Sequence, residues 1–171
     1  MELIKYIGLA LILGSCSYIG ILISKKYANR VKELKEIKSA LNIFITKIKY
    51  TYEPIPKIFE EISDKTKENK NVSNIFKNAC KDMQEYEAGE AWNRSLENTS
   101  TNMKKEDIEV LKGLSKLLGR VDAEGQVREV ELVDNFLNTQ IEEAEKERIK
   151  NEKMYRTLGI SIGVAITVIL I

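Results

Sequence analysis

The feature that most constrains this chain is a stretch of fifteen residues without a charged side chain, TLGISIGVAITVILI, at positions 157–171. As an α-helix it would reach about 22 Å, somewhat less than the roughly 30 Å hydrocarbon core of a bilayer. Met154 and Tyr155, with Arg156 snorkelling to the headgroups, bring the length close to a full span. We therefore predict a membrane helix. The alternative, a buried C-terminal helix of a soluble bundle, is disfavoured by this length.

A second charge-free stretch, YIGLALILGSCSYIGILIS, lies at positions 6–24. Basic residues gather on the side of each stretch that faces the middle of the chain, at Lys25, Lys26, Arg30, Lys32, Lys150, Lys153 and Arg156. Such residues concentrate on the cytoplasmic side of membrane helices. Both stretches therefore predict one topology, in which residues 27–156 are cytoplasmic and the N-terminus lies outside.

An alternative interpretation of the N-terminal stretch is a cleaved signal. The segment LGSC at 13–16 resembles a bacterial lipoprotein signal, in which Cys16 would be lipidated. A short apolar core followed by small residues also fits an ordinary signal peptide. Against both, the apolar run continues through Ile23 and then meets a lysine pair that resembles a stop-transfer signal. Cys80, the other cysteine, is expected to be a cytosolic thiol on an apolar helix face, without a disulfide.

The charge distribution restricts the function of the middle segment. All but four of the 27 basic and 26 acidic residues lie within 27–156, which carries a net charge of −1. This segment is long enough for one compact domain with a modest core. A balance near zero argues against nucleic-acid binding, which depends on clustered Lys and Arg. The chain contains no His, the usual general base, proton shuttle and metal ligand.

The hydrophobic pattern predicts helices throughout the middle segment. Apolar residues recur every three or four positions between 31 and 48, so the first membrane stretch is expected to continue as a long amphipathic helix. Pro54 and Pro56 are expected to end it after Tyr52 and to begin the second helix.

Further apolar runs predict four more helices, and no run alternates like a strand. They lie at 72–83, 91–96, 108–121 and 127–144, the last leading into the terminal membrane stretch. The polar segments 67–71 and 98–102 are expected to be loops. The predicted fold is all-α, a bundle of about six helices flanked by an N-terminal and a C-terminal transmembrane helix.

Few residues carry recognisable chemistry. Neither the Walker nor the dinucleotide phosphate-loop spacing occurs. The carboxylates at Glu60-Glu61 and Glu142-Glu143 favour a solvated, salt-bridged helix face over a catalytic pair. Trp92 is expected to be a core anchor. We therefore predict no catalytic residue, no cofactor and no metal site.

Glycines in both membrane stretches indicate close helix packing. Gly159 and Gly163 have the small-xxx-small spacing, and Gly8, Gly14 and Gly20 lie in the first stretch. Glycine lets two helix backbones approach closely in a bilayer. These five positions are predicted to permit such an approach.

Four short motifs follow one another along the chain. The first is a tyrosine-to-Pro-x-Pro junction at Tyr50, Pro54 and Pro56, and the second is Glu-Ala-Trp at Glu90, Ala91 and Trp92. The third is Leu-Gly-x-x-Asp-x-x-x-Gln at Leu118, Gly119, Asp122 and Gln126. The fourth opens the second membrane stretch at Met154, Tyr155, Leu158, Gly159 and Gly163. In order, spacing and two-anchor layout they resemble the stage III sporulation protein AB family of endospore-forming bacteria. Glu53 departs from that pattern, where a small hydroxyl residue is expected to cap the second helix.

The resemblance implies a bundle similar to the F-type platform domain of type II secretion and type IV pilus systems. It implies a non-enzymatic component of the mother cell–forespore channel, in the mother-cell membrane facing the forespore. The implied partners are a secretion-type cytoplasmic ATPase, other sporulation channel membrane proteins and the lipid bilayer, with no nucleic acid and with homo-oligomerisation left open. The alternatives are a membrane-tethered helical scaffold or sensor that binds a soluble regulator, and an enzyme whose active site is not recognisable in the sequence.

Overall fold

A computed structural model describes residues 2–51, 53–118 and 123–170, with the side chains of residues 6–51, 53–118 and 130–170. These residues form six α-helices and one 3-10 turn, and none of them lies in a strand. In chain order the elements are α1 (Glu2–Thr51), α2 (Ile55–Lys65), α3 (Lys70–Asp82), α4 (Ala88–Asn98), α5 (Lys105–Lys112), the 3-10 turn Gly113–Lys116 and α6 (Ala123–Leu170). The predicted all-α fold is confirmed.

Two of the helices are much longer than the rest. α1 has 50 residues and α6 has 48, and each contains a segment long and apolar enough to cross a membrane. Both prolines of the chain lie at the α1–α2 junction, so neither long helix contains a proline that would break it. Apolar side chains near the end of α6 are exposed, up to 82% at Ile169. This exposure argues against the alternative of a buried soluble helix.

The chain divides into two compact units. Met1–Val31 with Glu143–Ile171 form one, which we call the helix-pair unit, and Lys32–Glu142 form the other, the bundle unit. α1 and α6 each contribute to both units. The membrane boundaries expected from the sequence, 6–24 and 157–171 around a domain at 27–156, stay predictions.

The core of the bundle unit is built around a cluster of aromatic rings. α2 packs on α3, α3 on α4, and α4 against α5 and the 3-10 turn. The rings of Phe59, Phe76 and Trp92 all contact one another, and Phe44 contacts Phe59, with centroids 5.2 to 5.7 Å apart in these pairs. Trp92 is fully buried, and its Nε1–H donates to the carbonyl oxygen of Leu111 at 2.8 Å. The prediction that Trp92 is a core anchor is confirmed.

Two helix boundaries differ from the sequence prediction. α3 begins at Lys70, inside the predicted loop 67–71, because the Asn69 side chain caps it and accepts a hydrogen bond from the Val72 amide. α5 ends at Lys112 and gives way to the 3-10 turn at Gly113, a residue type that weakens an α-helix. The predicted end of this helix, at position 121, lies outside the described residues.

Candidate docking surfaces

In the helix-pair unit α1 and α6 cross with their backbones in contact. A Cβ atom added at Gly159 would lie 2.8 Å from the carbonyl oxygen of Cys16 and 2.9 Å from the Cα of Gly20. A Cβ added at Gly20 would lie 2.7 Å from the carbonyl oxygen of Tyr155. Real Cβ atoms do not approach backbone so closely, so only glycine fits at either position. This is the packing that small residues allow between membrane helices.

The crossing extends to Gly163 but not to the remaining glycines. A Cβ added at Gly163 would lie 3.0 Å from the Cδ1 of Leu13 and 3.2 Å from the Cβ of Cys16. At Gly8 and Gly14 it would meet nothing within 4 Å. Of the five glycines predicted to permit close approach, these two therefore lie away from the crossing.

Polar contacts join the two helices beside the glycine crossing. The rings of Tyr27 and Tyr155 stack with their centroids 5.8 Å apart. Arg30 is 4% exposed, and its Nη1 lies 2.8 Å from the Oε2 of Glu147. A buried guanidinium requires such a partner, because loss of the carboxylate would leave an uncompensated charge. The pair therefore fixes the register between α1 and α6 within this unit.

Charges on the two long helices also pair within the bundle unit. The Nζ of Lys38 donates to the side-chain oxygen of Asn138 and lies 3.7 Å from the Oδ2 of Asp134. These contacts join α1 to α6 within the bundle unit.

Glu53 has a structural role different from the small hydroxyl residue expected before the first proline. Pro54 is the N-cap of α2, and no side chain makes a capping hydrogen bond there. The carboxylate of Glu53 instead lies 3.1 Å from the Nζ of Lys47 and 3.3 Å from the Nζ of Lys57. Lys47 also pairs with Glu61 at 2.8 Å. Lys47 therefore joins the last turns of α1 to α2 through two carboxylates.

These ion pairs shift the pKa values of the groups that form them. Hydrogen bonds from Lys47, and then from Lys65, lower the pKa of Glu61 to about 2. The hydrogen bond from Lys47 also lowers the pKa of Glu53, and the hydrogen bond to Glu61 raises the pKa of Lys47. The predicted salt-bridged face is confirmed at Glu61, which pairs with Lys65 as well.

Glu33 is a buried carboxylate that sequence reasoning missed. It is 2% exposed, and its Oε2 accepts from the backbone N–H of Asn102 at 2.7 Å. Its Oε1 accepts from the side-chain amides of Asn102 at 2.6 Å and Asn71 at 2.7 Å. The α4–α5 loop and the first turn of α3 are thereby tied to α1. Helical spacing could have predicted its burial, since Glu33 lies three residues after the buried Arg30 and four before the buried Ile37 on one helix face.

The motif residues occupy structural positions in several elements. Their placements are Tyr50 exposed at the end of α1, Pro54 and Pro56 at the start of α2, Glu90 exposed and Ala91 and Trp92 buried on α4, Leu118 buried after the 3-10 turn, Met154 and Leu158 exposed on α6, and Tyr155, Gly159 and Gly163 at the helix crossing. Gly119, Asp122 and the side chain of Gln126 lie outside the described residues.

The remaining described side chains offer little binding chemistry. Among the described residues, no three His, Cys, Asp or Glu side chains are grouped to hold a metal ion. The Sγ of Cys80 donates to the carbonyl oxygen of Pro56 at 3.4 Å, and burial raises the pKa of this thiol. A groove of about 530 Å³ with mainly polar and charged lining lies between α2 and α3.

Known proteins are similar to this chain in both sequence and fold. The family model of stage III sporulation protein AB matches residues 5–171. Stage III sporulation protein AB of Bacillus subtilis (strain 168) is 27% identical over 173 residues, covering 98% of this chain and 99% of that protein. A solved structure of stage III sporulation protein AB (SpoIIIAB) superimposes with a TM-score of 0.63 at 24% identity, covering 71% of this chain and 98% of that one. Because the family model spans nearly the whole sequence, the chain belongs to the stage III sporulation protein AB family.

Proposed function

We propose that the chain is a non-enzymatic membrane platform of the sporulation mother cell–forespore channel. In this role it docks a secretion-type cytoplasmic ATPase to membrane subunits of the apparatus. Membership of the family supports a function in sporulation. Two helices long and apolar enough to cross a bilayer support an association with the membrane.

The observation that carries the proposal is the way the two apolar helices are joined. A single anchor is sufficient to keep a protein at a membrane. Here α1 and α6 are joined by a glycine crossing at Gly20 and Gly159, by stacked tyrosines and by the Arg30–Glu147 pair. Two helices joined at several points suit a docking platform in a larger assembly, whereas a simple tether does not need them.

The orientation of the platform follows from its basic residues. Lysines and arginines lie on the bundle side of both apolar stretches, which favours a cytoplasmic bundle unit. In the proposed role the bundle lies in the mother-cell cytoplasm, where an ATPase has access to it. The outer faces of the helix pair, apolar and exposed at Leu11, Ile19 and Ile162, would face lipid and other membrane subunits.

The test is co-purification of the full-length chain from sporulating cells in a mild detergent. We expect a hexameric ATPase to be recovered with the wild-type protein and to be lost when the bundle unit is deleted. Recovery of a soluble regulatory protein alone, with no ATPase, would contradict the platform.

A membrane-tethered scaffold for a soluble regulator is the second candidate. The observation that favours it is the groove between α2 and α3, in which Lys70, Lys77 and Lys81 lie on one face of α3. Charge reversal of these lysines should then abolish regulator binding while leaving membrane localisation unchanged. An ATPase that co-purifies equally well with this variant would argue for the platform instead.

A further inference from the structure

Two exposed apolar side chains lie together on α6 in the bundle unit. Among the described side chains of residues 32–142, three large apolar ones are exposed: Tyr50 at 71%, Leu132 at 50% and Phe136 at 60%. Tyr50 stands alone and has a polar hydroxyl for the solvent. Leu132 and Phe136 are four residues apart, so they lie next to each other on one helix face. Adjacent exposed apolar groups of this kind mark interaction sites more often than single ones do.

The surroundings of this pair are acidic. Residues 129–142 contain four acidic residues and no basic residue, and one of the four, Asp134, lies 3.7 Å from the Nζ of Lys38 on α1. The side chains of Glu131 and Glu142 are exposed, and neither forms an ion pair within the described part of the chain. Asn135 and Thr139 complete the exposed surface between them. We call these six residues, Glu131, Leu132, Asn135, Phe136, Thr139 and Glu142, the α6 ridge.

The chemistry of the ridge restricts the class of partner. Its negative charge opposes binding to anionic lipid headgroups and to nucleic-acid phosphates. An aromatic anchor with a polar, charged rim is the usual composition of a protein interface. The matching surface is an apolar pocket bordered by lysine or arginine.

A second copy of this chain matches the ridge poorly. Its groove between α2 and α3 is basic but is lined by polar side chains and Cys80, without an aliphatic or aromatic residue to receive a phenylalanine. Its groove beside α5 is apolar at Leu96, Met103 and Ile108 and has lysines at its border. Glu97 and Glu109 line the same groove and pair with Lys112 at 2.9 Å and 3.0 Å, so they would face the glutamates of the ridge. The charge complementarity therefore favours a different protein.

We propose that the α6 ridge docks an apolar pocket rimmed by lysine or arginine on another protein, with Phe136 and Leu132 as anchors. This inference deepens the proposed function by naming the docking face, and it rests on that function only for the identity of the partner. Complementary charge at the rim fixes orientation and raises the rate of association, while the apolar anchors provide the affinity.

Photocrosslinking of the full-length protein in sporulating cells tests the ridge. p-Benzoylphenylalanine replaces Phe136 in one strain and Tyr50 in the matched control, since both positions hold exposed aromatic residues of the bundle unit. We expect the adduct with a second protein to be about tenfold stronger from position 136, a difference of one decade in binding. Mass spectrometry of the adduct should place the attached peptide beside lysine or arginine residues and apolar side chains.

Charge reversal provides the second arm of the experiment. Glu131→Lys with Glu142→Lys should reduce the adduct from position 136 about tenfold, because like charges would then meet across the rim. The matched control is Glu60→Lys with Glu85→Lys, which reverses two exposed glutamates away from the ridge. The control should leave the adduct unchanged, and circular dichroism should give the same helical content for all variants.

Three results would contradict the proposed docking at the α6 ridge. They are no excess of adduct at position 136 over position 50, an adduct with a second copy of this chain, and an adduct that charge reversal leaves unchanged. The identity of the crosslinked protein tests the proposed ATPase docking separately. An adduct with a basic-rimmed protein other than an ATPase would support the ridge and contradict ATPase docking there. Co-purification of an ATPase without any adduct at position 136 would contradict docking at the α6 ridge and leave the proposed function intact.

Discussion

Glycine is required at individual positions of this chain where two backbones touch, and it is replaceable elsewhere. Gly159 and Gly20 meet each other at the crossing, whereas Gly8 and Gly14 face open space on the same helix pair. The sequence shows all of them as glycines in apolar helices. The distinction depends on which helix face meets the partner, and that information comes only from the packed structure.

The membrane crossing gives the first prediction at this scale. Gly159→Ala should lower the free energy of unfolding by about 1–3 kcal/mol, because the new methyl group would overlap the carbonyl oxygen of Cys16. The measurement is loss of helicity during titration with a denaturing detergent. Gly14→Ala is the matched control and should be close to neutral. Equal losses for the two variants would show that the glycines do not form the crossing.

In the bundle unit, alanine substitutions at two other glycines should change the free energy of unfolding in opposite directions. A Cβ at Gly89 would collide with the carbonyl oxygen of Ser115, so Gly89→Ala should cost about 1–3 kcal/mol. Gly113 has helical dihedrals, φ −52° and ψ −30°, and a Cβ there would lie 3.7 Å from Val133. Gly113→Ala should therefore stabilise the fold by about 0.4–1 kcal/mol. Urea unfolding of the full-length protein in mild detergent compares the two, and a stable Gly89→Ala variant would contradict the close approach of α4 to the 3-10 turn.

At the scale of the element, Glu33 holds a loop in place. Glu33→Ala removes the acceptor of three hydrogen bonds from Asn102 and Asn71. Loss of a partner for buried or partly buried donors costs about 1–3 kcal/mol each, so the α4–α5 loop should open. Hydrogen exchange at the Asn102 amide should accelerate strongly. Glu36→Ala, on the same helix, is the control. Unchanged protection of the Asn102 amide from hydrogen exchange in Glu33→Ala would show that Glu33 does not hold the loop.

The junction between α1 and α2 should respond to acid. The pKa of Glu61 is about 2 in the folded protein, against about 4.3 for an unperturbed glutamate. A carboxyl group whose pKa is lowered by folding stabilises the fold above its unfolded pKa, and this contribution is lost as the pH falls. The free energy of unfolding should therefore decrease between about pH 4.3 and pH 2.

Glu61→Gln tests that junction. Its free energy of unfolding should fall less steeply than that of the wild type over this acidic range, because the amide does not titrate. Glu60→Gln, at an exposed neighbouring position, should retain the wild-type slope. Urea unfolding in detergent at a series of pH values is the measurement. Parallel curves for the wild type and Glu61→Gln would mean that the Lys47–Glu61 pair does not stabilise the junction.

Helix periodicity explains why the elements were predictable, while the polar contacts between them were not. Burial of Ile58, Phe59 and Ile62 follows directly from their spacing on α2. The role of Glu53 does not, because its pairing with Lys47 depends on the angle between α1 and α2, which the sequence does not give. The apolar pair at Leu132 and Phe136 is likewise invisible to periodicity, since exposure is decided by the packing of other helices.

At the scale of the whole molecule, the proposed platform role requires a chain that enters a bilayer at both ends. The two charge-free stretches and the two helices long and apolar enough to cross a membrane agree with this arrangement. The proposed docking of a cytoplasmic ATPase requires the bundle unit to lie on the cytoplasmic side.

Topology is therefore the most direct measurement. Lys70→Cys, at an exposed position of α3, is combined with Cys16→Ser and Cys80→Ser, and intact cells are treated with a membrane-impermeant maleimide. We predict that Cys-reactive labelling at position 70 appears only after the membrane is permeabilised, and that the protein stays in the membrane fraction without detergent. Labelling of intact cells, or a full-length protein that is soluble without detergent, would contradict the central claim.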